Sequence, residues 1–382
     1  MQYNWPLNVD NFTFFDRLKI CCFILNKNNR WTQGNIVYQF ELAMADFVGS
    51  KYAVYCSSGS TANTMIAMYL ADKEKDKNIV VFPSTTWATS VSPFIREDFL
   101  PKFIDVSLED LCINYDLLED FVSKNKDNIA AIFPTSLLGF VPDIARLKNI
   151  SETYGVRLMF DNCENTFGTF EGKNVSSFAT STTSTYFGHH LQSIEGGFVF
   201  TNDLEEYEYF LMLRNHGMTR SVTNNTKYAN LDVDPRFDFY CIGNNFRNSE
   251  IHALTGLLDL KKTNKHIETR KTLYSLFETY LSDLYYLPPF DEKKEHVAFA
   301  LPIIPIEQEK KQAAINYCNS KGIETRPIIS GNLLRQTCFK QFGSYADYQN
   351  SEFLHHNGFY VGLHTKLKDS DVRNLAKDLN SI

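Results

Sequence analysis

Three short polar stretches in this 382-residue chain have the composition to do chemistry. The first is Ser57-Ser58-Gly59-Ser60-Thr61-Ala62-Asn63, between an apolar run at 52–56 and a helical stretch. Hydroxyls, backbone N–H groups and the positive end of a helix suit an anion such as a phosphate. The same residues also suit a plain serine N-cap. The second is Phe160-Asp161-Asn162-Cys163-Glu164, where an apolar run ends in an acid. A carboxylate there can be an N-cap, a metal ligand or the partner of a protonated ring nitrogen. The third, STTSTYFGHHLQSIEGG at 181–197, gathers hydroxyls, His189, His190, an acid and a Gly-Gly pair. An unperturbed imidazole, with a pKa of about 6.5, exchanges protons near neutral pH. A histidine at a strand end is also often only structural, so the two readings of this pair stand level.

These stretches need a scaffold that brings them together. Short apolar runs at 79–82, 130–133, 156–160 and 198–201 alternate with helical patterns such as 143–154. Val37, Phe40, Met44, Phe47 and Val48 repeat at helical spacing, and Gly49 follows as a stop. Buried runs separated by helices predict a mainly parallel sheet covered on both faces. In such sheets ligands gather beyond the carboxyl ends of the strands, where all three polar stretches fall. The pattern changes after Asn245. Helices at 249–262, 267–284 and 308–320, strands at 297–304 and 323–327, and a last helix from near Ser370 predict a smaller C-terminal α/β domain. The division is a large domain at 1–245 and a small one at 246–382. The charged run 291–295 reads as a solvated turn.

Composition excludes several function classes. Apolar residues make up 43% and charged residues 22%, an ordinary globular balance. With 31 Phe and 20 Tyr to bury, the chain is no candidate for disorder. A net charge of −7 argues against a nucleic-acid binder, though local arginines can still hold a small anion. The first ten residues show no signal-peptide pattern, and the apolar piece 20–25 is far short of a membrane span of roughly 20 residues. A cytoplasmic protein with no membrane contact is expected. The eight cysteines show no CxxC pair and no zinc or iron–sulfur spacing. Mostly buried, reduced thiols and no metal are expected.

In order and spacing the motifs resemble the DegT/DnrJ/EryC1/StrS aminotransferase family, the sugar-nucleotide branch of the fold-type I pyridoxal-phosphate enzymes. The resemblance spans essentially the whole chain. It runs from Trp31-Thr32-Gln33-Gly34 through residues 52–63 and Ser84-Thr85-Thr86-Trp87 to the Asp161 motif. Glu195-Gly196-Gly197 and Gly243-Asn244-Asn245-Phe246-Arg247 complete it. It implies the aspartate-aminotransferase fold: an α/β large domain with a mainly parallel sheet and a smaller C-terminal domain. Members usually carry a cofactor-binding lysine a few places before the Gly-Gly. Here His189 stands at that place, and no lysine lies between Lys173 and Lys227. A histidine there resembles the family's sugar 3-dehydratases, and stretches 214–220, 326–333 and 357–362 are similar to the same subgroup.

That resemblance implies pyridoxal 5′-phosphate (PLP) or pyridoxamine 5′-phosphate (PMP), held noncovalently. It implies removal of the C3 hydroxyl from a GDP-linked 4-keto-6-deoxy sugar, with L-glutamate as the amino donor. His189 would be the catalytic base and acid. Asp161 would pair with the ring nitrogen, Trp87 would stack on the ring, and Gly59, Ser60 and Ser184 would anchor the phosphate. Glu164 would sit near the ring or its amine. Asn245 would reach the phosphate from the neighbouring subunit of a homodimer with shared sites. Arg220 and Arg326 are candidates for the diphosphate or the glutamate carboxylate, and His216 for either ligand. Asn29, Arg30, Trp31 and Thr32 are candidates for the sugar-nucleotide pocket. Met218 stands where the family usually has an aromatic, a departure that concerns the packing around the substrate. An aminotransferase-like activity, a CDP-sugar dehydrase and a non-catalytic scaffold are the alternatives. The CDP-sugar type carries an iron–sulfur cluster, for which no cysteine set exists here.

Overall fold

The computed structural model describes residues 3–223 and 225–382. Two helices, α1 (Phe14–Leu25) and α2 (Asn35–Val48), precede the first strand. Gly34, at the start of α2, has no side chain to cap it. Glu250, from far along the chain, accepts the N–H groups of Gly34, Ile36 and Val37 at 2.9, 2.9 and 3.0 Å. Its charge thereby also offsets the positive end of α2. Gly49 ends that helix in the left-handed region at φ +75°, where a side chain would be strained.

Strands and helices then alternate: β1 (Tyr52–Cys56), α3 (Gly59–Lys73), β2 (Ile79–Pro83), α4 (Ala88–Arg96) and β3 (Leu100–Ile104). They continue as α5 (Tyr115–Asn125), β4 (Ile129–Ile132), α6 (Ile144–Tyr154) and β5 (Met159–Asp161). After a short pair, β6 (Thr169–Phe170) and β7 (Lys173–Asn174), come β8 (Thr180–Ser184), β9 (Gly197–Thr201) and α7 (Leu204–Arg214). Parallel bridges between Ile132 and Leu158 and between Thr135 and Asp161 join two ladders into one sheet. Its order is β1–β9–β8–β5–β4–β2–β3, with only β9 antiparallel to its neighbours. Strand β8, Thr-Ser-Thr-Thr-Ser, is polar yet wholly buried. Thr180 donates to Thr201, Ser181 to the Ser176 carbonyl and Thr182 to Asn63, which removes much of the desolvation cost.

The rest of the chain is α8 (Glu250–Leu260), α9 (Thr263–Tyr280), β10 (Lys294–Glu295), β11 (Ala300–Ile303) and α10 (Gln308–Ser320). It ends with β12 (Thr325–Pro327), α11 (Gln349–Asn357), β13 (Phe359–Gly362) and α12 (Asp369–Leu379). Strands β11, β13 and β12 form a small antiparallel sheet. Its residues share one core with Leu273 and Phe277 of α9 and Val372, Leu375 and Leu379 of α12.

Four expectations change. The helix expected at 267–284 spans Thr263–Tyr280, and the strand expected at 297–304 shrinks to Ala300–Ile303, although Val297 and Ala298 are buried. The run 291–295 is not wholly a solvated turn. Lys294 reaches inward to the buried Asp110 at 2.7 Å, its side chain only 6% exposed. All eight cysteines are free, but only Cys56, Cys112 and Cys318 are buried. Cys21, Cys22 and Cys338 are exposed, because their helix or loop positions face outward.

Candidate active site

The carboxyl ends of β1, β5 and β8 open onto a cleft of about 810 Å³, well within the size of small-molecule sites. Chain order explains the convergence. Each of these strands is followed by a loop rather than by a continuing ladder, so its last residues are free to face a ligand.

The β1–α3 loop enters first. Ser58 caps α3, its hydroxyl accepting the Thr61 N–H while Thr61 returns the bond to Ser58. The serine-cap reading of this loop is therefore correct, and the same loop also lines the cleft through Ser58, Gly59 and Ser60. A side chain on Gly59 would place its Cβ 2.6 Å from Cys163 Sγ and 2.9 Å from Ser184 Cβ. A Cβ on Gly197 would fall 2.4–2.5 Å from the backbone of Ser58 and Gly59. These two glycines let β9 and β8 press against the helix start, so that Ser184 stands beside it. A helix N-terminus with flanking hydroxyls fits a phosphate.

Asp161, at the end of β5, is 2% exposed and forms the floor. Its Oδ2 accepts from Asn63 Nδ2 at 2.9 Å and from Ser90 Oγ at 2.5 Å, and its Oδ1 accepts from the Cys163 N–H at 3.0 Å. Trp87, 54% exposed at the head of α4, offers a flat wall. Glu164 lines the cleft and accepts the Leu138 N–H at 2.8 Å. Burial pushes its carboxyl up to about 8, against the pull of the Leu138 donor and with help from the charge of Asp161. It is thus largely protonated at neutral pH.

His189 faces the same cleft, edge-to-face between Tyr186 at 5.7 Å and Phe299 at 5.8 Å. Burial lowers its pKa from 6.5 to about 4, with the Asp161 charge opposing. The imidazole is therefore neutral near pH 7, a base and not the half-protonated carrier that its unperturbed pKa suggests. His190 takes no part in the cleft lining. It is 1% exposed and stacks on Phe167 at 4.7 Å, a structural position. No lysine lines the cleft, and among the described residues no cluster of His, Cys, Asp and Glu could hold a metal.

Of the candidate residues, Gly59, Ser60, Trp87, Asp161, Glu164, Ser184, His189 and Arg326 line this cleft. Arg326 sits at its mouth, paired with Glu324 at 2.8 Å. The others are not in the lining. Asn29, Arg30, Trp31 and Thr32 run beside the segment before α8, where the Thr32 hydroxyl donates to the Asn248 carbonyl at 3.3 Å. His216, at φ +62°, bonds the Asn244 carbonyl at 2.8 Å through its N–H, and Asn215 bridges to the exposed Asn245. The guanidinium of Arg220 lies over Phe237 at 5.6 Å. Met218 is buried against Phe239.

Sequence reasoning assigned no role to Asn63, Ser90, Tyr186, Phe299, Tyr360 or the N-terminal Asn8. Asn63 and Tyr186 stood inside the motifs. Phe299 and Asn8 carry no local signal and reach the cleft only through the fold.

A family model, the DegT/DnrJ/EryC1/StrS aminotransferase family, matches residues 22–380. The chain is 32% identical over 349 residues to a GDP-4-keto-6-deoxy-D-mannose 3-dehydratase of Escherichia coli O55:H7, covering 87% of this chain and 89% of that protein. It is 30% identical to the protein of that name from Yersinia pseudotuberculosis, covering 91% of each. Among solved structures it superposes on an E. coli GDP-4-keto-6-deoxy-D-mannose 3-dehydratase with bound hydrated PLP. The TM-score is 0.90 at 29% identity, over 99% of this chain and 100% of that one. Another structure of such a dehydratase, with a trapped PLP–glutamate geminal diamine, has a TM-score of 0.90 at 28% identity, over 98% and 100% of the two chains. With its sheet order, the Asp161 floor and the histidine cleft, the chain belongs to the DegT/DnrJ/EryC1/StrS aminotransferase family.

Proposed function

We propose that this protein is a PLP/PMP-dependent 3-dehydratase that removes the C3 hydroxyl of GDP-4-keto-6-deoxy-D-mannose, with L-glutamate as amino donor. The observation that carries this reading is the neutral imidazole of His189 in a cleft lined by no lysine. The names of the two most similar relatives described above support the same substrate.

The residues present fit the cofactor. The glycine-tight start of α3 with Ser60 and Ser184 matches a phosphate, Asp161 matches a protonated ring nitrogen, and Trp87 matches a ring face. When bound, the cofactor supplies an amine for the C4 ketone and a ring that accepts electrons. The chain does the rest. Asp161 holds a proton on the ring nitrogen and is itself held by Asn63, Ser90 and the Cys163 N–H. Glu164, protonated, offers a hydrogen bond without setting a second negative charge beside Asp161. His189 takes a proton at C4′ and delivers it to the C3 oxygen, so that the hydroxyl leaves as water. An imidazole is a weaker base than a lysine amine, which leaves time for that departure. Glutamate loses its amino group, and the products are a 3-deoxy-4-keto sugar, 2-oxoglutarate and ammonia.

The working unit in this reading is a homodimer. Asn29, Arg30, Trp31, Thr32, His216, Arg220 and Asn245 lie off the cleft of their own chain and would complete the cleft of a second copy. Exposed Trp31, Phe239 and Ile242 on that surface, 51%, 57% and 88% exposed, are consistent with burial by a partner. Arg326 would meet the diphosphate or the glutamate carboxylate.

The test is product analysis of the purified protein with PLP, glutamate and either GDP- or CDP-linked 4-keto-6-deoxy sugars. Ammonia with a 3-deoxy sugar from the GDP substrate is the expected result. A 4-amino sugar would make the protein an aminotransferase instead, and no cofactor absorbance on the protein would leave only a scaffold.

A further inference from the structure

A catalytic histidine is ordinarily oriented by a hydrogen bond to its second ring nitrogen. His189 has none. Its Nδ1 is buried without a partner among the described residues, and only its backbone N–H is tied, to the Tyr186 carbonyl at 2.9 Å. What constrains the ring is aromatic packing from Tyr186 on one side and Phe299 on the other.

Phe299 is held in an unusual way. The β11–β13 ladder ends with Ala300 opposite Gly362, so the next rung would pair Phe299 with Leu363. That rung is missing. Instead, Arg270 Nη1 donates to the Phe299 carbonyl at 3.0 Å and also to the Leu363 carbonyl. The Phe299 N–H turns to the Leu138 carbonyl at 3.1 Å, and the N–H of that same Leu138 bonds Glu164. Interrupting the ladder in this way presents the Phe299 ring to the cleft, against His189, His190 and Tyr360.

Arg270 itself lies on α9, 2% exposed and outside the cleft lining. The charge of the buried Asp259 offsets it through space, but no carboxylate of the described residues forms a direct ion pair with it. A buried guanidinium that makes no direct ion pair remains costly, and a neutral donor would serve a simple strand end. One of its nitrogens, Nη1, serves the carbonyls of both residues of the missing rung, just beyond the ends of β11 and β13.

We propose that Arg270 is a positioning residue for His189, acting through the ring of Phe299. The inference rests on the dehydratase reading for what His189 does, but not for how it is held.

The experiment compares Phe299→Leu, Arg270→Gln, Arg270→Lys and the Phe299→Leu/Arg270→Gln double variant with wild type. In cofactor-free protein labelled with ¹³C,¹⁵N-histidine, NMR relaxation of the His189 ring should report one well-ordered ring in wild type. Greater ring mobility is expected in Phe299→Leu and Arg270→Gln, with partial recovery in Arg270→Lys. With PLP bound, the glutamate-driven absorbance change should slow by about 10-fold or more, as misplacement of a reacting group does, while the PLP dissociation constant stays within about 3-fold. The double variant should be no slower than Phe299→Leu alone, since both changes act through one ring. Unchanged His189 ring order in Phe299→Leu, multiplying losses in the double variant, or PLP affinity falling as much as the rate would each overturn the proposal. If Arg270→Gln does not fold, Phe299→Leu and Arg270→Lys decide it. If the wild type itself shows no glutamate-driven change, the dehydratase reading fails, and the ring-order comparison still judges the positioning.

Discussion

Asn63 joins two strands of the site through one side chain: its amide donates to Asp161 at 2.9 Å, and its carbonyl accepts from Thr182 at 2.6 Å. All three residues are buried, so a partner lost here is not replaced by bulk water, although Ser90 and the Cys163 N–H still serve Asp161. Asn63→Ala leaves both Asp161 and Thr182 short of a partner. We expect a loss of roughly 1–3 kcal/mol in stability by chemical denaturation. PLP affinity should weaken as the Asp161 carboxylate loses its fixed direction. Unchanged stability and affinity would mean that water replaces the amide at no cost.

Asp161→Asn tests the floor of the cleft directly. The amide retains an oxygen for the Cys163 N–H, but its NH₂ then confronts the donor of Asn63. The fold should persist with a melting temperature lower by a few degrees. Turnover should fall by about 100-fold or more, because a neutral amide cannot electrostatically hold a ring proton. Wild-type turnover would reduce Asp161 to a cap for the loop after β5.

The absence of a lysine in the cleft predicts an exchangeable cofactor. Borohydride treatment should leave no phosphopyridoxyl group on the chain, as read by peptide mass spectrometry, and dialysis should strip the cofactor. In His189→Lys the same treatment should label residue 189. C3 deoxygenation should be suppressed, with at most partial transaminase activity, since an amine of pKa about 10.4 is a poorer proton donor to a leaving oxygen. Undiminished ammonia and 3-deoxy sugar from that variant would remove His189 as the base.

Glu164 predicts a pH-dependent stability difference. Its folded pKa, about 8, lies above the ordinary carboxylate value of 4.5. Between those values the folded state holds a proton that the unfolded state has released, so its contribution to stability declines as pH rises from about 4.5 to 8. Glu164→Gln can still accept the Leu138 N–H and has no charge to bury. In cofactor-free protein its stability relative to wild type should grow by roughly 1 kcal/mol or less per pH unit across that window and level off above it. Parallel stability curves from pH 5 to 8 would show that Glu164 is ionised in the fold.

Read alone, the sequence was enough for the mainly parallel sheet, the order of its helices and the motifs at the strand ends. Alternating apolar runs and helix stops are local properties, and the replacement of lysine by His189 is visible in the chain itself. Helix α10 matches its expected bounds, because its pattern is local too. Tertiary structure decided what depends on distance in the chain. Glu250 caps α2, Lys294 turns inward to Asp110, and Arg270 holds Phe299 against His189. None of these pairs has a spacing or periodicity that announces it. The pKa of His189 was likewise out of reach, since it falls to about 4 only when the fold removes water from around the ring.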